Sequence, residues 1–195
     1  MGFGASEIKL IQDSWAIVKT LPAVTVGGLL FKHIFEQADV SALFSFGRKP
    51  GFNPAPESVA ENADVQAHGK KVVDLVTVAI SMLTDLTNLV PVLKDLGAMH
   101  AKYGVVAAHY PVVGTAFLKT LSVGLGAAYT PEVAAAYTAM WGIVADTMQA
   151  GVKEAEDAKW GNYSKPQGAE MEKLTAASIE AAQDWWTNPD AAARG

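Results

Sequence analysis

The sequence predicts an all-α fold of six or seven helices, packed at crossing angles, with one long irregular loop. Two observations carry that expectation. No segment alternates apolar and polar residues as a strand does, and no internal repeat is visible. Apolar residues instead recur at steps of three and four, in runs that open on capping residues or proline and close on glycine.

The first helix is expected over residues 6–20, with Ile8, Ile11, Trp15 and Val18 as its buried stripe and Ser6 as its N-cap. Thr20 is expected to cap a second helix that opens on Pro22, runs to about Gln37 and carries Val24, Gly27, Phe31 and Phe35 on one face. Gly27 and Gly28 cost that helix about 1 kcal/mol each relative to alanine. Close approach of another helix offsets the cost, and Gly69 is the natural counterpart. Residues 39–57 are irregular because Pro50, Pro54 and Pro56 forbid a helix, so Phe44, Phe46 and Phe52 sit on a loop that folds over a pocket.

Ser58 and Glu61 fit a capping box for a long helical stretch to about Leu86, with a break at Asn62. Thr87-Asn88 is expected as the loop before a helix that ends at Gly104. The next helix has Pro111 in its first turn, a stripe of Val113, Phe117 and Leu121, and an end at Gly124 and Gly126. Thr130-Pro131-Glu132 supplies a cap, a proline at the first position and an acid at the positive dipole end, and so starts a helix that closes near Glu156.

Residues 1–156 thus read as one domain and 157–195 as a C-terminal extension. The extension reads as a polar hinge, a helix over 168–186 with Met171, Leu174, Ser178, Ala181 and Trp185 in register, and a disordered end from Thr187. Trp185-Trp186 is a large apolar payload that should dock on the domain or on a second chain, giving a monomer or a homodimer through this helix.

The chain is 50% hydrophobic, enough for a sizeable core without staples, and has no cysteine. That excludes disulfides, thiolate zinc sites, iron–sulfur clusters and thioether-linked prosthetic groups. The formal charge of −5, with no basic run, argues against nucleic acid as a partner. Asp74, Lys94, Lys102 and Lys119 interrupt every apolar run that approaches the length of a membrane span, and no signal peptide is visible, so a cytoplasmic protein is expected. Met1-Gly2-Phe3-Gly4-Ala5-Ser6 also fits N-myristoylation at Gly2. A helix cap at Ser6 explains the same residues, and one acyl chain without a polybasic patch anchors weakly.

Two histidines break the pattern. Leu89, Leu93, Leu96, His100 and Tyr103 form one helical face that is apolar except for His100. His68 sits in the same way within the stripe of Val65, Val72, Leu75, Val76 and Ala79. Burying an imidazole without a partner costs about 1–3 kcal/mol, so each ring needs a polar core neighbour or a metal. Two such rings on two helices are placed to face each other across something flat and apolar. His33 and His109 read as surface or interface residues, and Met82, Met99, Met140 and Met148 as core rather than ligands.

The stretches QDSWAIV, LFKHIF, ALF at Ala42–Phe44, VQAHGKKVV, LKDLGAMHAKYGV, PVVGTAF and AAYTPEVAAAYTAMWGIVADTM resemble, in order over about residues 6–152, the single-domain haem globins of the neuroglobin and cytoglobin type. The resemblance implies the three-over-three globin sandwich and non-covalent haem b. It implies His100 as the proximal iron ligand and His68 as the distal residue, either sixth ligand or hydrogen-bond donor to O2. It further implies that Phe44 stacks on the porphyrin, Phe31 and Val72 line the distal side, and Leu96 packs below the ring. Val105 and Tyr103 are implied as further haem-contacting residues, with packing or capping as the alternative for Tyr103. Lys71 is placed to pair with a propionate, or is a solvated charge. The proline-rich phenylalanine loop and everything beyond about residue 155 depart from the family pattern.

The resemblance implies reversible binding of O2, NO and CO, with a bis-histidyl resting iron and a reductase as partner. The alternative is a haem redox enzyme (nitric-oxide dioxygenase, nitrite reductase or peroxidase) or a gas or redox sensor. A fused dioxygenase carries flavin and nicotinamide domains, for which 157–195 is too short, and no arginine stands near His68 to help a peroxidase.

Overall fold

The computed structural model describes residues 3–157. The expected hinge, the helix over 168–186 and the end from Thr187 lie outside the described residues, as does Gly2. Within them there are seven α-helices, joined by short turns and one irregular segment. These are α1 (Ala5–Val18), α2 (Ala23–Phe35), α3 (Pro56–Glu61), α4 (Ala63–Ser81), α5 (Leu86–Lys102), α6 (His109–Leu125) and α7 (Pro131–Asp157).

Helix α1 starts one residue early. Its cap is Gly4, whose N–H donates to Glu7 Oε2 at 2.8 Å, and Ser6 lies inside the helix. Thr20 does not cap α2 either: its hydroxyl turns back to the Ile17 carbonyl at 2.7 Å, and Pro22 itself precedes the first residue of α2. Pro56 opens α3, two residues before the expected capping box, and Ser58 instead accepts a hydrogen bond from Asn53 Nδ2 at 2.9 Å. Asn62 breaks the stretch as expected. Its backbone is extended, and its side-chain oxygen accepts from the N–H groups of Asp64 and Val65 at 3.0 and 3.2 Å, capping α4.

The loop expected at Thr87-Asn88 falls earlier, between Ser81 and Leu86, because Asp85 takes the capping role: its Oδ1 accepts from the Asn88 backbone N–H at 3.4 Å, and its Oδ2 from Asn88 Nδ2 at 2.6 Å. Helix α5 then tolerates Pro91 in its interior. It closes on Gly104, at φ 83°, where the Gly104 and Val105 N–H groups reach back to the carbonyls of Ala101 and His100 at 3.0 and 3.2 Å. Thr130 caps α7 as expected, through the Val133 N–H at 3.4 Å.

The long loop contains two 3-10 turns, Ser41–Leu43 and Phe46–Arg48. Its aromatics fold inward. Phe44 and Phe46 stack at 4.8 Å and 6° between planes, and Phe52 bridges Phe46 and Phe35 at 5.6 and 6.0 Å.

Helix α2 packs on α4, α3 and α6; α5 packs on α7; and α1 meets α4, α6 and α7. This sets α1, α4 and α5 against α2, α6 and α7, three over three. The crossings are close where glycine permits. A Cβ on Gly27 would stand 2.6 Å from the Gly69 Cα, and one on Gly69 the same distance from the Gly27 Cα. Gly97 of α5 meets the Met148 carbonyl of α7, and Gly151 of α7 meets the Lys94 carbonyl of α5, just as tightly. Among the described residues one stretch, His109–Ala128, has the length and mean hydropathy (1.3) of a membrane span; it includes α6, which packs against α1, α2 and α7.

Candidate functional site

Between the two layers lies a cavity of about 210 Å³. His68 of α4 and His100 of α5 both line it, together with Phe31, Phe44, Lys71, Val72, Leu96 and Val105. Of the iron- and haem-contacting residues expected from the resemblance, Tyr103 alone is absent from its walls; it is 41% exposed, at the end of α5. Most of the remaining lining is aliphatic or aromatic, including Leu30, Leu75, Phe117 and Val144.

The two imidazoles are held differently. His100 Nδ1 lies 2.7 Å from the carbonyl oxygen of Leu96. A carbonyl only accepts, so Nδ1 carries the proton and Nε2 carries the lone pair. Burial pushes the His100 imidazole below its ordinary pKa, and the Leu96 carbonyl partly offsets this. His68 lies among aromatic rings, with Phe44, Phe31 and Phe46 centroids at 5.3, 5.4 and 5.9 Å, all steeply tilted to it. Burial pushes His68 down to about 4, and the nearby Lys71 and His100 add to the shift. Both rings are therefore neutral near pH 7, the state in which imidazole ligates a metal.

Sequence reasoning missed three features. His33 is buried, at 4% exposure, and is not a surface residue. Its Nδ1 lies 3.0 Å from Thr120 Oγ1, and that hydroxyl donates onward to the Ala116 carbonyl at 2.8 Å. The polar partner sits on a helix far away in sequence, so no local signal marks it. His109 lines the cavity as a third histidine, with its Nδ1 accepting from the Val106 N–H at 3.1 Å. Tyr110 also lines the cavity, and its buried hydroxyl has no hydrogen-bond partner among the described residues. Met140 and Met148 are buried in the core, as expected, and reach the cavity wall as well.

This arrangement fits a flat, mostly apolar group with a metal centre and an anionic edge. Two neutral imidazoles on separate helices offer axial nitrogens, the walls are apolar, Lys71 supplies a cation, and the Tyr110 hydroxyl is left for an occupant to satisfy. Haem has those properties. Among the described residues no group of three or more histidines and carboxylates could hold a bare metal ion.

A family model described as Globin matches residues 29–148. The chain is 32% identical over 157 residues to leghemoglobin 3 of Sesbania rostrata, covering 80% of this chain and 99% of that protein. It is 33% identical over 142 residues to neuroglobin of Danio rerio, covering 73% and 87%. It is 30% identical over 161 residues to the anaerobic nitrite reductase AHB2 of Arabidopsis thaliana, covering 80% and 98%.

Proposed function

The chain belongs to the globin family, a family of haem proteins that bind diatomic gases, and from that premise we propose that it holds haem b between His68 and His100 and binds O2, NO and CO reversibly. One observation carries this reading: two neutral histidines from different helices line a single apolar cavity. Haem supplies an iron that takes up a diatomic guest and exchanges electrons.

The side chains do the rest. His100 would hold the iron through its Nε2 lone pair, with the Leu96 carbonyl fixing the ring and raising its basicity. Phe31, Phe44, Val72, Leu96 and Val105 wall the ring and exclude water. Lys71 would supply the cation for an anionic edge of the group, such as a propionate, while Tyr103 stays outside the lining at the end of α5. His68 would either donate an N–H to a bound guest or itself help hold the iron, in which case the two roles compete. We favour ligation in the resting state, on the similarity to neuroglobin. A reductase would be the partner that keeps such an iron ferrous.

A second reading, a haem redox enzyme acting on nitrite, is favoured by the similarity to the Arabidopsis protein of that name and by the cation of Lys71 near His68. Ferric and ferrous absorption spectra, followed by anaerobic nitrite consumption under a chemical reductant, test both. A purified protein with no Soret band, and none after haem is added, would end the first reading. A haem-loaded protein that consumes nitrite no faster than free haem would end the second.

A further inference from the structure

The corner where α1 turns into α2, beside the end of α6, carries an apolar face that the described residues leave uncovered. Ile17, Leu21, Val24 and Val123 stand on it, between 39% and 59% exposed. A cleft opens in this face, lined at its mouth by Leu21, Thr25, Val123 and Gly124 and deeper by the buried Trp15 and Phe117. No charged residue lines it. Its interior polar atoms are already paired: Trp15 Nε1 donates to Thr77 Oγ1 at 3.0 Å, and Thr120 Oγ1 is shared between His33 and the Ala116 carbonyl. The Thr25 hydroxyl, at the mouth, makes no hydrogen bond to a described residue. One exposed aliphatic needs no account, but four around one cleft mark a contact surface.

The chain itself carries a matching segment. Residues 158–195 follow α7 and lie outside the described residues. They contain Trp185 and Trp186 side by side, with Met171, Leu174 and Ala181 at helical spacing before them. Each indole brings about 150–250 Å² of surface to bury and one N–H that needs an acceptor. The charges are complementary as well. Lys19, exposed at the end of α1, forms no ion pair with a described residue, whereas Asp184 precedes Trp185 directly and Glu180 stands about one helical turn earlier. Such a pair adds little energy but fixes register.

Reach is sufficient. Residues 158–167 span about 33 Å when extended, and a helix from residue 168 to Trp185 adds about 26 Å, against a domain about 40 Å across. Four half-exposed aliphatics fall well short of the about 800 Å² per partner that separate chains bury in a standard interface. They suit a segment that the chain already holds nearby at high effective concentration.

We propose that this face is the docking site for the chain's own C-terminal extension: Trp185 enters the cleft between Leu21 and Val123 with its N–H toward Thr25, Trp186 lies over the exposed aliphatics, and Asp184 meets Lys19. The docking involves no haem and stands apart from the reading above.

Hydrogen exchange of the full chain, read by mass spectrometry at two protein concentrations beside sedimentation velocity, tests it. Trp185→Ser/Trp186→Ser removes the indoles without altering a described residue. Val123→Asp puts a charge at the mouth, on a side chain exposed enough to leave the core intact. Both should speed exchange over residues 18–26 and 120–127 about tenfold or more, with α5 and α7 unchanged, in a chain that sediments as a monomer at both concentrations. Lys19→Glu and Asp184→Lys should each speed it less, and the two together should restore the parent's protection. Equal exchange in the parent and the tryptophan variant would overturn the docking. Protection that is lost on dilution as a dimer dissociates would overturn the intramolecular occupant in favour of a second copy. Charge variants that fail to restore one another would overturn the Lys19–Asp184 register.

Discussion

The Nδ1–H of His100 donates to the Leu96 carbonyl at 2.7 Å, one turn back on the same helix. The bond commits one nitrogen to the protein and leaves the lone pair on the other, so ring orientation and ligating atom are set together. Replacing His100 by alanine should therefore remove the axial ligand while leaving the walls intact. We expect haem to be lost about tenfold faster or more, with partial rescue by added imidazole, measured as transfer to an apomyoglobin acceptor. A variant with the parent's retention and spectrum would show that another side chain holds the iron.

His68 should decide the coordination state. In the ferrous protein without added ligand, a low-spin six-coordinate spectrum is expected, and His68→Leu should convert it to a five-coordinate high-spin one. CO association should accelerate in the same variant, because the competing ring is gone. A parent that is already five-coordinate would leave His68 as hydrogen-bond donor only.

The glycine crossing of α2 and α4 sets a steric limit. Gly27→Ala places a Cβ against the backbone of Gly69, and neither chain can yield by changing a rotamer. Overpacking of this kind costs about 1–3 kcal/mol, and contact with backbone rather than a flexible side chain puts this site at the upper end, above the helix-propensity gain of about 1 kcal/mol from alanine. Thermal unfolding should show a lowered Tm and a shifted haem spectrum, since α4 carries His68. A raised Tm would mean that the helices separate without penalty.

His33 should make stability depend on pH. Burial is the main cause that holds its pKa below the ordinary 6.5, with Lys119 and Lys32 adding to the shift and Glu36 opposing it. The folded state then prefers the neutral ring. Below 6.5 the unfolded chain binds the proton that the folded one resists, so the contribution is present above that pH and is lost as pH falls toward the depressed value. Urea midpoints of the parent should drop as pH falls below 6.5. His33→Gln should flatten that slope, and an equal slope in both would assign the loss to other groups. Thr120→Val, which removes the acceptor for His33, should cost about 1–3 kcal/mol at neutral pH.

Much of this molecule was legible in the sequence, for identifiable reasons. Helical period, proline and glycine located the elements, and errors concentrate at caps, where Gly4 with Glu7 displaced Ser6 and Asp85 displaced the Thr87-Asn88 loop. Capping depends on which of several adjacent polar residues the chain's path selects, and spacing alone does not carry that. His68 and His100 stood out because each interrupts an apolar stripe, and the cavity contains both. His33 was misread because nothing local distinguishes a buried histidine bonded to a distant threonine from an exposed one. Gly97 and Gly151 went unnoticed for the same reason: each is explained only by a backbone carbonyl on the other helix.

Those last two glycines have a consequence of their own. The helix bearing His68 is seated on α2 through Gly27 and Gly69, and the helix bearing His100 is seated on α7 through Gly97 and Gly151. Main chain rests on main chain at both seats, so neither helix has compressible side chains beneath it. Each histidine's helix therefore cannot settle closer to the helix it rests on. Substitutions among the surrounding aliphatics can retune polarity or access without sinking either seat, and inward adjustment on guest exchange has to come from the rings and the loops.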